Sequence, residues 1–197
     1  MNALVISTRD RLLHSAQELI EEDGYGAASV VAISQRAGVA AGTMYRHFAS
    51  KQELFVELFR SVCDGEVRAG QAAAATLPPS ASAVERIATV VSTFAERALR
   101  NPRLAWALIA EPVDPLVDAE RLAYRRRYSE LVAHGIRLGI DAGEIPEQNA
   151  ELTAAALVGG CGEALVGPLS PVSGSRPPVP ETLEALRTFV RRAVGAT

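Results

Sequence analysis

Apolar residues recur along the chain with a helical period and show no strand-like alternation. From Ser7, which has capping-box spacing with Asp10, Leu12, Leu13, Ala16, Leu19 and Ile20 return every three or four residues until Gly24 supplies a stop. Ser29 is placed to cap a second helix over VVAISQRAG, whose Val30, Ile33 and Ala37 share a face and whose end Gly38 marks. After this tight turn a short third helix begins near Ala41. Ser50 and Glu53 repeat the capping-box spacing before Leu54, Phe55, Leu58, Phe59 and Val62, which predicts a long fourth helix over 51–75.

Beyond residue 75 the punctuation is proline. Pro78 and Pro79 break the pattern, and a fifth helix runs through Val84, Ile87, Val91, Phe94 and Ala98. Asn101 before Pro102 restarts a short sixth helix, which Pro112 and Pro115 end. VDAERLAYRRRYSELVAHGIRLGIDAG predicts a seventh helix, and AELTAAALVGGCGEALVG an eighth with Asn149 as its cap. A flexible loop is expected over 167–180, within the Pro/Gly/Ser-rich PLSPVSGSRPPVP, before ETLEALRTFVRRAV closes the chain as a ninth helix. The expected fold is all-α with about nine helices and no internal repeat.

Composition narrows the class. The 197 residues are 48% hydrophobic, enough for a substantial core. No run approaches the roughly 18 uninterrupted apolar residues of a membrane span, and MNALVISTRDR is too short an apolar stretch for a signal peptide, so a cytoplasmic location is expected. Cys63 and Cys161 are far apart without C-x-x-C spacing and read as free thiols; neither metal nor cofactor is expected. His14, His47 and His134 are scattered, and no nucleophile-elbow, zinc-protease, Walker or dinucleotide fingerprint occurs, so the chain is not expected to be an enzyme.

Charge changes the picture at one place. The formal charge is −3, yet between Gly24 and Lys51 there is no Asp or Glu, while Arg36, Arg46 and Lys51 are present. Glu18, Glu21, Glu22 and Asp23 gather instead at the end of the first helix. Phosphate attraction acts over about 8–10 Å at ordinary ionic strength, so local sign outweighs the total. Helix, Gly-bearing turn and short helix in this order form a helix-turn-helix, whose second helix enters the major groove.

SVVAISQRAGVAAGTMYRHFASKQELF resembles the helix-turn-helix of TetR/AcrR-family transcriptional regulators. It has the family's hydroxyl cap, Ile, Ala-Gly-Val, Gly-Thr, Tyr-x-x-Phe and Lys-x-x-Leu, and the likeness covers about the first 60 residues. The resemblance implies that Ser29, the hydroxyl cap, belongs to the DNA-binding residues, that Gly42 and Thr43 face the groove, and that Tyr45 and His47 contact phosphate. Lys51 opens the fourth helix, where free N–H groups suit a phosphate. Arg36 and Arg46 could reach bases or phosphates, and Phe48 matches a core position. Two features depart from the pattern. Ala40 and Ala41 stand where a hydroxyl cap and a polar or basic residue are usual, and Val31 where a polar one is.

The resemblance implies an N-terminal DNA-binding domain over 1–50, then a ligand-binding and dimerisation domain over 51–197. In the latter, Trp106, the only tryptophan, and Ile109 are candidates to line a pocket, though Trp106 is equally readable as core. Tyr124 and Tyr128 share a helix face; Arg125 to Arg127 form a solvated patch, or one of them pairs with an anionic ligand, Glu111 or Glu163. Cys161 and Glu163 complete the candidate ligand set. Gly159, Gly160 and Gly162 weaken a helix by up to about 1 kcal/mol each, which close helix approach would offset. Leu152, Gly159, Leu165, Leu183, Leu186, Phe189 and Val190 are the expected dimer face. The expected function is a ligand-responsive repressor, binding a palindromic operator as a homodimer and released by a small hydrophobic or aromatic effector. An all-helical enzyme or a protein-binding adaptor is the rival.

Overall fold

In the computed structural model, which describes residues 7–172 and 177–195, local signals close most helices. Ser7 Oγ accepts the Asp10 N–H at 3.1 Å to open α1 (Thr8–Asp23), which ends where Gly24 turns to φ +86°. A 3-10 turn (Tyr25–Ala27) leads to α2 (Val30–Arg36), capped by Ser29 Oγ on the Ala32 N–H at 3.1 Å. Gly38, at φ +67°, makes the turn into α3 (Ala41–Met44). There follow α4 (Lys51–Ala75), α5 (Ala83–Arg100), α6 (Pro102–Ile109), α7 (Pro115–Asp141), α8 (Ala150–Leu169) and α9 (Val179–Ala193). No strand occurs among the described residues.

Three boundaries differ from expectation. Pro115 starts a helix instead of ending one: Asp114 accepts the Leu116 N–H at 3.0 Å, and proline suits the first helical position, where no N–H is needed. Helix α8 continues through Pro168 to Leu169 and α9 begins at Val179, so the loop expected over 167–180 is shorter; its residues 173–176 lie outside the described ones. Asn101 makes no side-chain cap to α6. At Ser50 the expected box is shifted by one residue, since Glu53 accepts the N–H of Ala49 and not of Ser50. The complete capping box is at Ser82 and Glu85.

Two cores result. Leu12, Ile33, Met44, Phe48, Leu54 and Phe55 bring α1–α4 together, and Leu104, Ala107 and Val117 of α6 and α7 join them. The second core gathers α5, α7, α8 and α9 through Val91, Tyr128, Ile136, Leu157, Leu165 and Val190. Full burial of such a side chain contributes about 1.5–3 kcal/mol. Helix α6 is the wedge between them: Leu104, Ala107 and Leu108 face the N-terminal core, while Ala105, Trp106 and Ile109 pack against the second. Tyr124 of α7 touches both.

Candidate nucleic-acid interface and internal cavity

Helix α3 is a single turn, prolonged by i→i+3 bonds: the Arg46 N–H donates to the Thr43 carbonyl at 3.1 Å and the His47 N–H to that of Met44 at 2.9 Å. This winding buries Met44 and Phe48 while Tyr45, Arg46 and His47 point outward, Tyr45 being 57% exposed. The buried pair fixes the outward trio on the N-terminal core.

Gly42 has neither of the usual internal reasons for glycine. Its φ is not positive, and a Cβ added there would meet no atom within 4 Å. An exposed helical glycine is unfavourable by about 0.5–1 kcal/mol relative to alanine, so the residue has no advantage inside the chain.

The remaining candidates divide by what already holds them. Ser29 Oγ is an acceptor in its cap but retains its proton for donation. Arg36 is paired with Glu22 of α1 at 2.5 Å, which raises its pKa. Lys51 stands at the start of α4 with its ammonium 5.1 Å from the Phe55 ring and 5.7 Å from that of Tyr25. Thr43 is half-buried, whereas Arg46 and His47 are exposed and form no ion pair among the described residues. Ala40 precedes α3 with no side-chain cap, and Val31 is 57% exposed.

Between the cores lies a small cavity of about 50 Å³, walled by Cys63, Phe94, Tyr124, Tyr128, Val158 and Cys161. Ile109 and Arg125 border it as well. Five of the expected ligand residues therefore come together: Ile109, Tyr124, Arg125, Tyr128 and Cys161. Trp106 packs on the second core and Glu163 is exposed; neither lines the cavity. Tyr128 donates to the Val90 carbonyl at 2.9 Å, and its ring lies 5.6 Å from that of Phe94. Burial pushes the Cys161 thiol up to about 11 and the Cys63 thiol higher still, so both stay neutral.

The arginine run forms neither expected acid pair. Arg127 bonds Asp64 of α4 at 2.6 Å, and Arg125 reaches only the Ile109 carbonyl, at 3.4 Å. The structural arginine is Arg121, which donates to the Ala107, Leu108 and Glu111 carbonyls at 3.1, 2.9 and 2.8 Å, closing the C-terminal end of α6. Glu111 in turn accepts the Tyr25 N–H at 3.3 Å beside Gly24. The cavity's α6 wall is thereby tied to the end of α1. Phe94, Cys63 and Arg121 were absent from the sequence-based candidates; their helical spacing marks only apolar faces or a surface charge.

Of the expected dimer residues, Leu165, Leu186 and Val190 are buried in the chain's own second core. Leu152 is 68% and Phe189 42% exposed, Leu183 is half-buried, and a Cβ at Gly159 would meet nothing within 4 Å. Gly160 does serve a close approach, with Phe189 3.3 Å from where its Cβ would be. Helix α8 is long and apolar enough by composition to cross a membrane, although its Leu157, Cys161 and Leu165 belong to the core.

The N-terminal segment matches the model of the bacterial regulatory proteins of the TetR family over residues 12–58. The chain is 31% identical over 100 residues to the transcriptional repressor KstR of Rhodococcus jostii, a stretch covering 51% of this chain and 45% of that protein. The chain thus matches about half the length of that relative. Two solved structures share its fold along nearly the whole length. The fatty acid degradation regulator FadR of Bacillus halodurans superposes with a TM-score of 0.79 at 18% identity, covering 96% of both chains. FadR of Bacillus subtilis, solved in complex with stearoyl-CoA, gives 0.76 at 20% identity over 95% of this chain and 98% of that one. Over residues 12–58 the chain is thus similar to the bacterial regulatory proteins of the TetR family, and along nearly its whole length it shares the helical fold of the two FadR structures.

Proposed function

We propose that the protein is a ligand-responsive transcriptional repressor that binds a palindromic operator as a homodimer and leaves it when a small apolar or aromatic effector enters the cavity. The observation carrying the DNA half is Gly42: an exposed helical glycine without internal purpose, beside the outward Tyr45, in a stretch free of acids. Glycine lets the backbone approach base edges where a side chain would collide. Tyr45, His47 and Ser29 then donate to phosphates and fix the register, Thr43 faces the groove beside Gly42, and Arg46 is free for a base or a phosphate. Lys51 adds charge at the N-terminal end of α4. Repression is carried over from the name of KstR, and an apolar effector accords with the acyl ligand named for the Bacillus subtilis FadR.

The second copy is assigned to the outer face of α8 with α9. That helix is apolar along its length yet only partly covered by its own chain, and Leu152, Gly159 and Phe189 lie on the uncovered side. Two such chains related by a two-fold axis would present their α3 turns to half-sites about 34–36 Å apart. Coupling runs through α6: a ligand pressing on Leu108 and Ile109 acts on the helix that Arg121 and Glu111 tie to α1. The size of the response equals the effector's differential affinity for the two spacings of α3.

The direct test is a gel shift with the DNA upstream of the protein's own gene. Tyr45→Ala is expected to lower affinity about tenfold, the loss of one well-placed phosphate contact, with an unchanged melting temperature because the ring is exposed. Unaltered affinity would overturn the interface. The salt dependence provides a second check. With Ala40, Ala41 and Val31 supplying no donors and Arg36 engaged by Glu22, a shallow slope is expected, corresponding to roughly two or three neutralised phosphates per protomer. Measuring operator affinity from 50 to 200 mM salt checks this, and a slope of lac-repressor size, about −10, contradicts it.

A further inference from the structure

Of the three charged groups around the cavity, Glu66 and Arg121 already have ionic partners and Arg125 has none among the described residues. Glu66 holds Arg97 through two bonds of 2.7 and 2.9 Å, and Arg121 is held by Asp118 and three backbone carbonyls. Arg125 is exposed and directed at the Ile109 carbonyl. The Tyr128 hydroxyl is used by Val90, and the two thiols are neutral. One polar group is left over. The Tyr124 hydroxyl is fully buried, and no described residue accepts its proton. Burial pushes its pKa far above the usual tyrosine value, so it is a neutral donor, and the groups acting on it include Tyr128, Cys63 and Glu66 of the same wall.

A buried donor without a partner is unfavourable, and a ligand oxygen would relieve it. An anion would meet only Arg125, exposed to solvent at the cavity's border, while the Glu66 carboxylate of the same wall opposes negative charge beside Tyr124. Aromatic walls from Phe94, Tyr124 and Tyr128 suit a flat ring. Resting on the assignment of this cavity as the effector site, we infer that its ligand is an uncharged, ring-sized molecule bearing a carbonyl or hydroxyl oxygen, which Tyr124 selects by donating a hydrogen bond to that oxygen. At about 50 Å³ the cavity is smaller than the roughly 150 Å³ that holds benzene in an engineered protein core. A ring must therefore displace part of the wall. Phe94, Leu108 and Ile109 also line a neighbouring cleft of about 310 Å³ that is open to Gln17 and Glu21 of α1. They are the partition that gives way, and two of the three belong to α6.

The test is calorimetric titration of the full chain, without DNA at pH 7.5, with acetophenone, ethylbenzene and benzoate, on the natural protein and on Tyr124→Phe. Acetophenone is expected to bind the natural protein at least tenfold more tightly than either of the others. In Tyr124→Phe its advantage over ethylbenzene should fall to within about twofold, while the free variant melts about 2–4 °C higher, having lost an unpartnered buried hydroxyl. Persistence of the advantage in Tyr124→Phe, tightest binding by benzoate, no acetophenone binding at millimolar concentration, or a lowered melting temperature of the variant would each overturn the inference. Operator binding is read separately by gel shift. A chain that takes acetophenone through Tyr124 but no operator would refute the repressor proposal and leave this inference standing; the converse result would do the opposite.

Discussion

Gly42→Ala is expected to make the protein more stable and nearly blind to its operator. On the stability side the arithmetic is local. Alanine is favoured over glycine in a helix by about 0.5–1 kcal/mol, and the added Cβ touches no protein atom. The melting temperature should therefore rise by about 1–3 °C. On the DNA side the same methyl group would occupy the space through which the α3 backbone is proposed to meet the groove. Displacing Thr43 and Tyr45 together forfeits contacts valued at about 1–3 kcal/mol, with affinity down by about 30- to 100-fold. The opposed signs are what make the experiment decisive. A general folding defect would lower both quantities, and an irrelevant surface site would raise stability and leave affinity intact. The latter result in a melting curve paired with a gel shift would remove the interface proposed for α3.

The contrast between the two ends of the molecule shows which physics sequence patterns carry. Ser7, Ser29, Ser50 and Asn149 cap the helices they precede, and Gly24 and Gly38 take the left-handed conformation at the turns. Caps and positive-φ glycines act within three or four residues, so their meaning survives without knowledge of the fold. Pro115 is ambiguous in sequence because proline both ends helices and begins them, and only the Asp114 cap before it decides for a beginning. The cavity is different in kind. Cys63, Phe94, Tyr128 and Cys161 come from four helices, and nothing local to any of them says that they meet. On the two-turn α6, Trp106 and Ile109 lie three residues apart on one side, and periodicity does not say which of them reaches the opening. Similarly, Arg125 to Arg127 stand out in sequence as a run, whereas the arginine that anchors the end of α6 is the isolated Arg121. Apolar residues of α8 and α9 pose the same difficulty, because a leucine facing its own core and one facing a second copy have the same periodicity; Leu165 and Leu152 are such a pair.

That last ambiguity has a test with a large effect, Gly159→Arg. The residue stands in a helix, so replacing glycine should not weaken α8, and a Cβ there meets nothing within 4 Å inside the chain. The folded monomer has room for the new side chain, which would run over the groove bordered by Arg126, Glu130, Ala133, Glu151 and Ala155. Across a two-fold axis the substitution counts twice. Each copy presents a long side chain to the small-residue face of its mate, and two guanidinium groups are crowded together near the axis. The variant is expected to sediment as a monomer at micromolar concentration with an unchanged or slightly higher melting temperature. Loss of the link between two half-site contacts should then reduce operator affinity by about 10²- to 10⁴-fold, although every DNA-facing residue is intact. Binding to an isolated half-site should be unaffected, which separates loss of pairing from damage to α3. A Gly159→Arg chain that remains a dimer with full operator affinity would exclude the outer face of α8 as the seat of the second copy.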